Sequence, residues 1–489
     1  MSSASEISSV LSLARPVLPK GPSIEIKLDS HYRSKIYNSG APVRGEVVLT
    51  PWKDTRFDFV SVVLIGVSKT RVDAAQIAQH SSHTFLKLNM PIPESAYPMP
   101  RIFEAGHTYT IPFNFVIPQH LTLSACNHKK KTDAVYDQHM RLPPSMGTWG
   151  RDDLSPEMAR VEYIVKARVV EQPELGGRPI KVMEANHLIN VLPTSVEDPP
   201  INITSQDKQY CLSKSKKIRK NIFSAKQGRV TATASQPAAV RLSPDGRTAS
   251  ETGVLVHLKF DPSSPEIAAP RLSHVAGKMQ STTWFSGAPM ATLPDMGDIR
   301  ASYVGVPQLS YSNSSTLFSD DIEGPTAWNM RSVAARRDSG YSSEGQSQSD
   351  SDNSSSARNK ASKSSPVYHE TTVFVPFTMP VARKMLLPTF HTCLSSRTYN
   401  LHLTLNVGDA KINLHVPVQV AVEPSQELLT LQQDNGLPSF DAAMAQQEEA
   451  DVDELLRGRV MRQPDIEHQG TSELPGYGDF MHNRRAVTA

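Results

Sequence analysis

Leu401-His-Leu-Thr-Leu-Asn-Val-Gly-Asp-Ala-Lys-Ile-Asn-Leu-His-Val416, continued by Pro417-Val-Gln-Val-Ala-Val422, decides the fold class. Leu401, Leu403, Leu405 and Val407 alternate with His402, Thr404 and Asn406. After Gly408-Asp409, residues Ile412, Leu414, Val416, Val418, Val420 and Val422 alternate with Asn413, His415, Gln419 and Glu423. Successive side chains of a strand point to opposite faces, so a period of two marks a strand with one face buried. Two such runs across a two-residue turn predict a β-hairpin.

The same alternation recurs upstream, and no long segment before the C-terminal tail shows a helical period. Ile24, Ile26 and Leu28 alternate with Glu25 and Lys27, and Val43 to Thr50 follows a turn at Asn38-Ser39-Gly40. Phe57 to Val67 is apolar on both faces, as suits a strand covered by two layers. Tyr109, Ile111, Phe113, Phe115 and Ile117 put large side chains on one face. Val161, Tyr163, Val165, Ala167 and Val169 face away from Glu162, Lys166 and Arg168, and His187 to Leu192 closes the set before Pro193. A first β-sandwich is expected over residues 21–195, after a disordered N-terminus at 1–20.

Residues 196–227 read as a linker carrying a basic cluster of Lys214, Lys216, Lys217, Arg219 and Lys220. Such a cluster gains about 1 kcal/mol per basic residue near an anionic surface. The plainer reading is a solvated linker, or a strand edge that lysines keep from aggregating. Val230 to Ala234 and then Val254, Val256, Leu258 and Phe260 resume the strand pattern, which stops near residue 262 and returns at Val367. A gap of that length is too long for an ordered loop. Residues 338–365 hold 12 serines among Asp, Asn, Gln and Lys, too polar to offset ordering entropy. The expectation is a second sandwich from 228–262 and 367–424, interrupted by a disordered serine-rich insertion at 263–366 and followed by a disordered tail at 425–489.

Lysine plus arginine number 51 against 49 acidic residues, so no global field attracts nucleic acid, and any membrane contact is expected to be local and peripheral. The cysteines Cys126, Cys211 and Cys393 are odd in number and far apart, which suits a reducing compartment. No signal-peptide core and no apolar run long enough to span a membrane stands in the chain. His80-x-x-His83 and Cys126-Asn-His128 lack a second ligand pair at zinc spacing and read as surface or loop residues, with no metal and no cofactor expected. Asp152-Asp153 and Asp320-Asp321 read as solvated loop acids. No Walker glycine loop, Gly-x-Ser-x-Gly elbow or nucleophile with a base nearby in sequence appears, so a hydrolase on a sandwich scaffold is disfavoured and a non-catalytic protein is expected.

Tyr109-Thr-Ile-Pro-Phe-Asn-Phe-Val-Ile-Pro118, followed by Leu121 and Ser124, is similar to the aromatic strand ending at proline in the arrestin N-domain. His139-Met-Arg-Leu-Pro-Pro-Ser-Met-Gly147 and Val161-Glu-Tyr-Ile-Val-Lys-Ala167 follow in the order seen in fungal arrestin-like proteins. Pro388-Thr-Phe-His-Thr-Cys-Leu394, Arg397-x-Tyr-x-Leu401 and Ile412 to Val420 resemble the last strands of a fungal arrestin C-domain. The chain thus resembles a fungal α-arrestin. That resemblance implies two antiparallel, immunoglobulin-like β-sandwiches and a cytoplasmic adaptor, recruited to plasma membrane or endosomes, that binds the tails of membrane transporters or receptors. It also implies recruitment of the WW domains of a HECT-type ubiquitin ligase by Pro-Pro-x-Tyr or Leu-Pro-x-Tyr motifs, which a preorganised extended proline segment allows at low entropic cost.

No Pro-Pro-x-Tyr occurs, but Leu474-Pro475-Gly-Tyr477 stands in the tail, and Leu437-Pro438-Ser-Phe440 is a degenerate copy lacking the tyrosine hydroxyl. Arg336-Arg337-Asp338-Ser339 has the charge pattern of a basophilic kinase site, and Asp338-Ser-Gly-Tyr-Ser-Ser343 resembles a phosphodegron, so Ser339 and Ser343 are candidate phosphosites for kinases and phosphoserine readers. The alternative within the same fold is a signalling or sorting scaffold, like the fungal arrestin that relays ambient pH or a retromer subunit, without ligase recruitment.

Overall fold

A computed structural model describes residues 23–73, 78–173, 178–204, 207–219, 226–295, 308–332, 367–426 and 428–429. The first strands are β1 (Ser23–Leu28), β2 (Ile36–Tyr37), β3 (Pro42–Thr50), β4 (Thr55–Arg56), β5 (Phe59–Asp73), β6 (Ala78–Asn89), β7 (Ile102–Phe103), β8 (Tyr109–Val116), β9 (Ala159–Glu171) and β10 (Ile180–Val191). Helix α1 (Asp133–His139) lies between β8 and β9. They form sheets in the orders β1-β3-β8, β2-β10-β9-β5-β6 and β4-β7.

The later strands are β11 (Ser213–Arg219), β12 (Lys226–Ala234), β13 (Val240–Leu242), β14 (Thr252–Pro262), β15 (Leu272–Phe285), β16 (Leu309–Asp321) and β17 (Asn329–Ser332). Beyond them come β18 (Val367–Phe377), β19 (Phe390–His391), β20 (Ser395–Val407), β21 (Ala410–Val418) and β22 (Val420–Val422). Their sheets run β11-β12-β14-β18-β17, β13-β22, and β16-β15-β20-β19 with β21 also on β20. Among the described residues, no sheet mixes strands from before and after residue 200. Pairing is antiparallel except for β2 with β10 and β13 with β22. All described residues nonetheless fall in one compact unit.

The alternating residues explain this layout. Val43, Val47 and Leu49 of β3, Ile111, Phe113 and Phe115 of β8, and Val161, Tyr163 and Val165 of β9 are buried in one hydrophobic cluster. Phe57 stacks on Phe103 at 3.9 Å, and Phe85 meets Tyr163 edge-on. The hairpin read from the sequence pairs Leu401 with Val416, Leu403 with Leu414 and Leu405 with Ile412, all of them fully buried. Gly408 takes the first turn position with φ +60°, which the primed turn of a two-residue hairpin requires and a side chain resists.

Several boundaries differ from expectation. Residues 263–366 do not form one disordered insertion, because β15, β16 and β17 lie within it. β15 hides its alternation by burying Ser281, Thr282 and Thr283, whose hydroxyls are hydrogen-bonded. β16 is mostly polar, with Leu309, Leu317 and Phe318 packed against the core, and it pairs along its backbone with β15 from Phe285↔Leu309 to His274↔Asp321. Main-chain hydrogen bonds carry no side-chain pattern, so composition misread this strand. Residues 333–366 lie outside the described residues.

The span 196–227 is likewise no simple linker. β11 within it pairs with β12, and Ser195 and Asp198 hydrogen-bond to Val422 and Gln419. The predicted tail start also moves, since Leu428 is buried and Leu429 N–H donates to the Ser425 carbonyl at 3.1 Å. The N-terminus at 1–20 and the tail beyond residue 429 lie outside the described residues. Helix α1 was missed because seven residues are too few to display a helical period.

Leu403→Ala is expected to lower unfolding free energy by about 2–5 kcal/mol in urea titrations. Leu255→Ala, at a position 50% exposed, should change it by no more than about 0.5 kcal/mol.

Candidate functional site

The two strand groups meet through a polar junction centred on Arg397, whose side chain is 0% exposed. Its phase on β20 is that of Tyr399, Leu401 and Leu403, so strand alternation aims the guanidinium inward. Arg397 Nε donates to Thr283 Oγ1 at 3.0 Å, one Nη to the Asp153 carbonyl at 2.9 Å, and the other to Ser155 Oγ at 2.8 Å. The Asp153 carboxylate is engaged elsewhere, accepting from the backbone N–H groups of Gly147 at 2.6 Å and Ser155 at 3.1 Å. Asp153 is thus buried rather than a solvated loop acid. A guanidinium cannot shed its proton, so burial without these acceptors would be costly.

Further bonds stitch the same seam. Thr70 Oγ1 donates to the Ser286 carbonyl at 2.7 Å, Ser81 Oγ to the Gly287 carbonyl at 2.6 Å, and Asn38 Nδ2 to the Pro244 carbonyl at 2.9 Å. Met385 N–H donates to the Asp152 carbonyl at 2.9 Å. A wide pocket of about 990 Å³ opens at this seam, with Arg33, Arg151 and Arg247 among its lining residues.

A second cavity of about 520 Å³ is lined by both groups. In its wall Arg141 grips Asp198 through two hydrogen bonds of 2.8 and 2.6 Å, and Gln138 adds a third at 2.9 Å. Burial pushes the Asp198 carboxyl up, but the hydrogen bonds from Arg141 and Gln138 outweigh it and hold the group below its ordinary value. Tyr210 donates to Asp295 Oδ2 at 3.2 Å, while Asp295 Oδ1 and His391 Nδ1 are buried without a protein partner. Burial keeps His391 neutral. The cavity therefore offers acceptors for a polar, hydrogen-bond-donating guest or for water.

Cys126 and Cys393 lie 3.6 and 3.8 Å from His139 Nδ1, a pairing that sequence spacing could not show. Burial lowers the His139 pKa to about 3 and raises that of the Cys393 thiol to about 12. This is a neutral thiol beside a neutral imidazole, the opposite of the thiolate–imidazolium pair a cysteine nucleophile uses. The reading of Cys126 as a surface or loop residue is corrected, since it is buried and gathered with His128, His139 and Cys393.

The basic cluster falls on β11, an outer strand of its sheet. Lys214 and Lys216 share the phase of the buried Ile218, whereas Lys217 and Arg219 point to the opposite face. The strand therefore splits the cluster instead of presenting one patch. Lys226 crowds Lys217 and lowers its pKa, with Arg229 and Arg219 adding to the effect. Lys220, Ser339, Ser343, the motif Leu474, Pro475 and Tyr477, and the copy Leu437, Pro438 and Phe440 lie outside the described residues.

No protein-family model and no curated protein matches this chain. No helix among the described residues is long and apolar enough to cross a membrane.

Arg397→Ala should cost on the order of 3 kcal/mol in urea unfolding, because buried acceptors on both sides of the seam lose their donor. Asp198 contributes stability above its unfolded pKa of about 3.9, and this is lost as pH falls through its lower folded value. Asp198→Asn is therefore expected to flatten the acid limb of a stability–pH curve measured by thermal melting.

Proposed function

We propose that the protein is a non-catalytic adaptor of the arrestin type, with two β-sandwiches clamped at a polar seam. In this reading it binds the cytoplasmic tails of membrane transporters or receptors and recruits a HECT-type ubiquitin ligase for their ubiquitination and endocytosis. The observation that carries the proposal is the separation of all described strands into two groups that share no sheet yet are locked together by the buried Arg397. A pair of rigid sheet bodies at a set angle is a frame for holding partners. An acidic cargo segment would dock at the 990 Å³ pocket through Arg33 and through Arg247, which there pairs with Asp245.

Ligase recruitment is assigned to Leu474-Pro475-Gly476-Tyr477, and the protein acts in the cytoplasm with peripheral recruitment to plasma membrane or endosomes. A peptide covering Ser472 to Met481 is expected to bind the WW domains of a fungal HECT ligase with Kd of about 1–50 μM, roughly −6 to −8 kcal/mol. Tyr477→Ala should abolish that binding in fluorescence titrations. Failure of the wild-type peptide to bind, or equal binding by the alanine peptide, rejects ligase recruitment and leaves the signalling or sorting scaffold.

A further inference from the structure

Four side chains able to ligate a metal, three from residues 126–139 and one from Cys393, converge beside the seam. Cys126 ends the short turn Leu123–Ala125, and His128 follows two residues later. His139 is the last residue of α1, a helix begun by Thr132, whose hydroxyl accepts from the Val135 N–H. Cys393 comes from the other strand group, in the turn between β19 and β20. That turn is held by the Thr392 hydroxyl, which accepts from the Leu394 and Ser395 N–H groups, and by Met290 N–H donating to the Cys393 carbonyl. One donor atom from each of the four residues lies within 4.8 Å of the other three.

We propose that Cys126, His128, His139 and Cys393 form a four-coordinate zinc site that staples the two strand groups together. Bond lengths of about 2.3 Å to sulfur and 2.0–2.1 Å to nitrogen place tetrahedral sulfur–nitrogen pairs about 3.5 Å apart and sulfur pairs about 3.8 Å apart. The two sulfur-to-His139 Nδ1 distances, 3.6 and 3.8 Å, are close to these.

The hydrogen bond made by His128 agrees with a ligand role, while the Nε2 of His139 is buried with no protein partner. His128 Nδ1 lies 3.0 Å from the Lys129 carbonyl, the backbone bond that orients a ligating imidazole, and its Nε2 is buried with no protein partner. A metal bound here would displace the protons of both thiols. Two thiolates and two imidazoles around a divalent ion sum to zero charge, which favours a buried site. Soft sulfur with imidazole, and no position left for water, selects zinc in a structural rather than a catalytic role.

The test uses the full chain, purified without oxygen under reducing conditions and stripped with a chelator. Zinc is titrated against a chromophoric indicator, and cobalt is added as a spectroscopic substitute. The wild-type chain should take up one zinc, raise its Tm on doing so, and give the intense tetrahedral cobalt spectrum with a thiolate charge-transfer band. Loss of an outer partner of a ligand costs about 10–100-fold in affinity, so Cys393→Ser and His128→Ala should each weaken zinc binding by more than about 100-fold. Cys211→Ser should bind as wild type, because that thiol faces the Ser213 carbonyl away from the cluster. The proposal is overturned if the wild-type chain binds less than stoichiometric zinc, if cobalt gives a spectrum without thiolate ligation, or if Cys393→Ser binds zinc unchanged.

Discussion

A charged guanidinium buried away from water constrains everything packed around it. Arg397 needs acceptors for its donors, and the chain supplies them from both sides of the seam: Thr283 from one group, Asp153 and Ser155 from the other. Thr283 is also the register partner of Arg397 across β15 and β20, so the same contact checks the pairing of those strands. A slip of one residue would turn Arg397 outward and every leucine of β20 with it. Asp153 in turn ties the loop back to Gly147, which sets the approach of that loop to the second group. Junction and core are thus specified by one strand.

Directional polar contacts cross the seam beside an apolar core that runs through both strand groups, and this difference gives them a distinct job. Apolar packing is non-directional and tolerates sliding, whereas hydrogen bonds such as Thr70 to Ser286 and Ser81 to Gly287 hold only at one relative placement. A zinc ion on Cys126, His128, His139 and Cys393 would add a further directional link at the same seam. The cavity beside it keeps Asp295 and His391 with unpartnered buried atoms, so the junction is a built space as well as a clamp. For the adaptor proposed here, a fixed angle between two sheet bodies is the property that matters, because partners are aligned by the frame rather than transformed by it.

Legibility followed the periodicity of side chains. The hairpin from Leu401 to Val418 and the strands around Tyr109 and Val161 were readable because one face of each is buried and the other wet, whereas Val420–Val422, expected to continue the hairpin, leaves it and pairs in parallel with β13. β16 was not readable, since its few apolar residues, Leu309, Leu317 and Phe318, do not alternate along an otherwise polar strand paired through its main chain. β15 was obscured by buried serine and threonine whose hydroxyls find partners only in the folded chain. Arg397 left one sequence-level trace, a cation at an inward position of an alternating strand.

The all-β class, the strand phases and the tight turn at Gly408 were determined by local sequence, because alternation and backbone conformation are properties of neighbouring residues. What occupies the seam was decided only by tertiary structure. His139 and Cys393 are 254 residues apart, and Arg397 stands 242 residues from Ser155. No spacing rule reaches that far; such groups become partners only when the folded chain brings the two strand groups together and excludes water from what lies between.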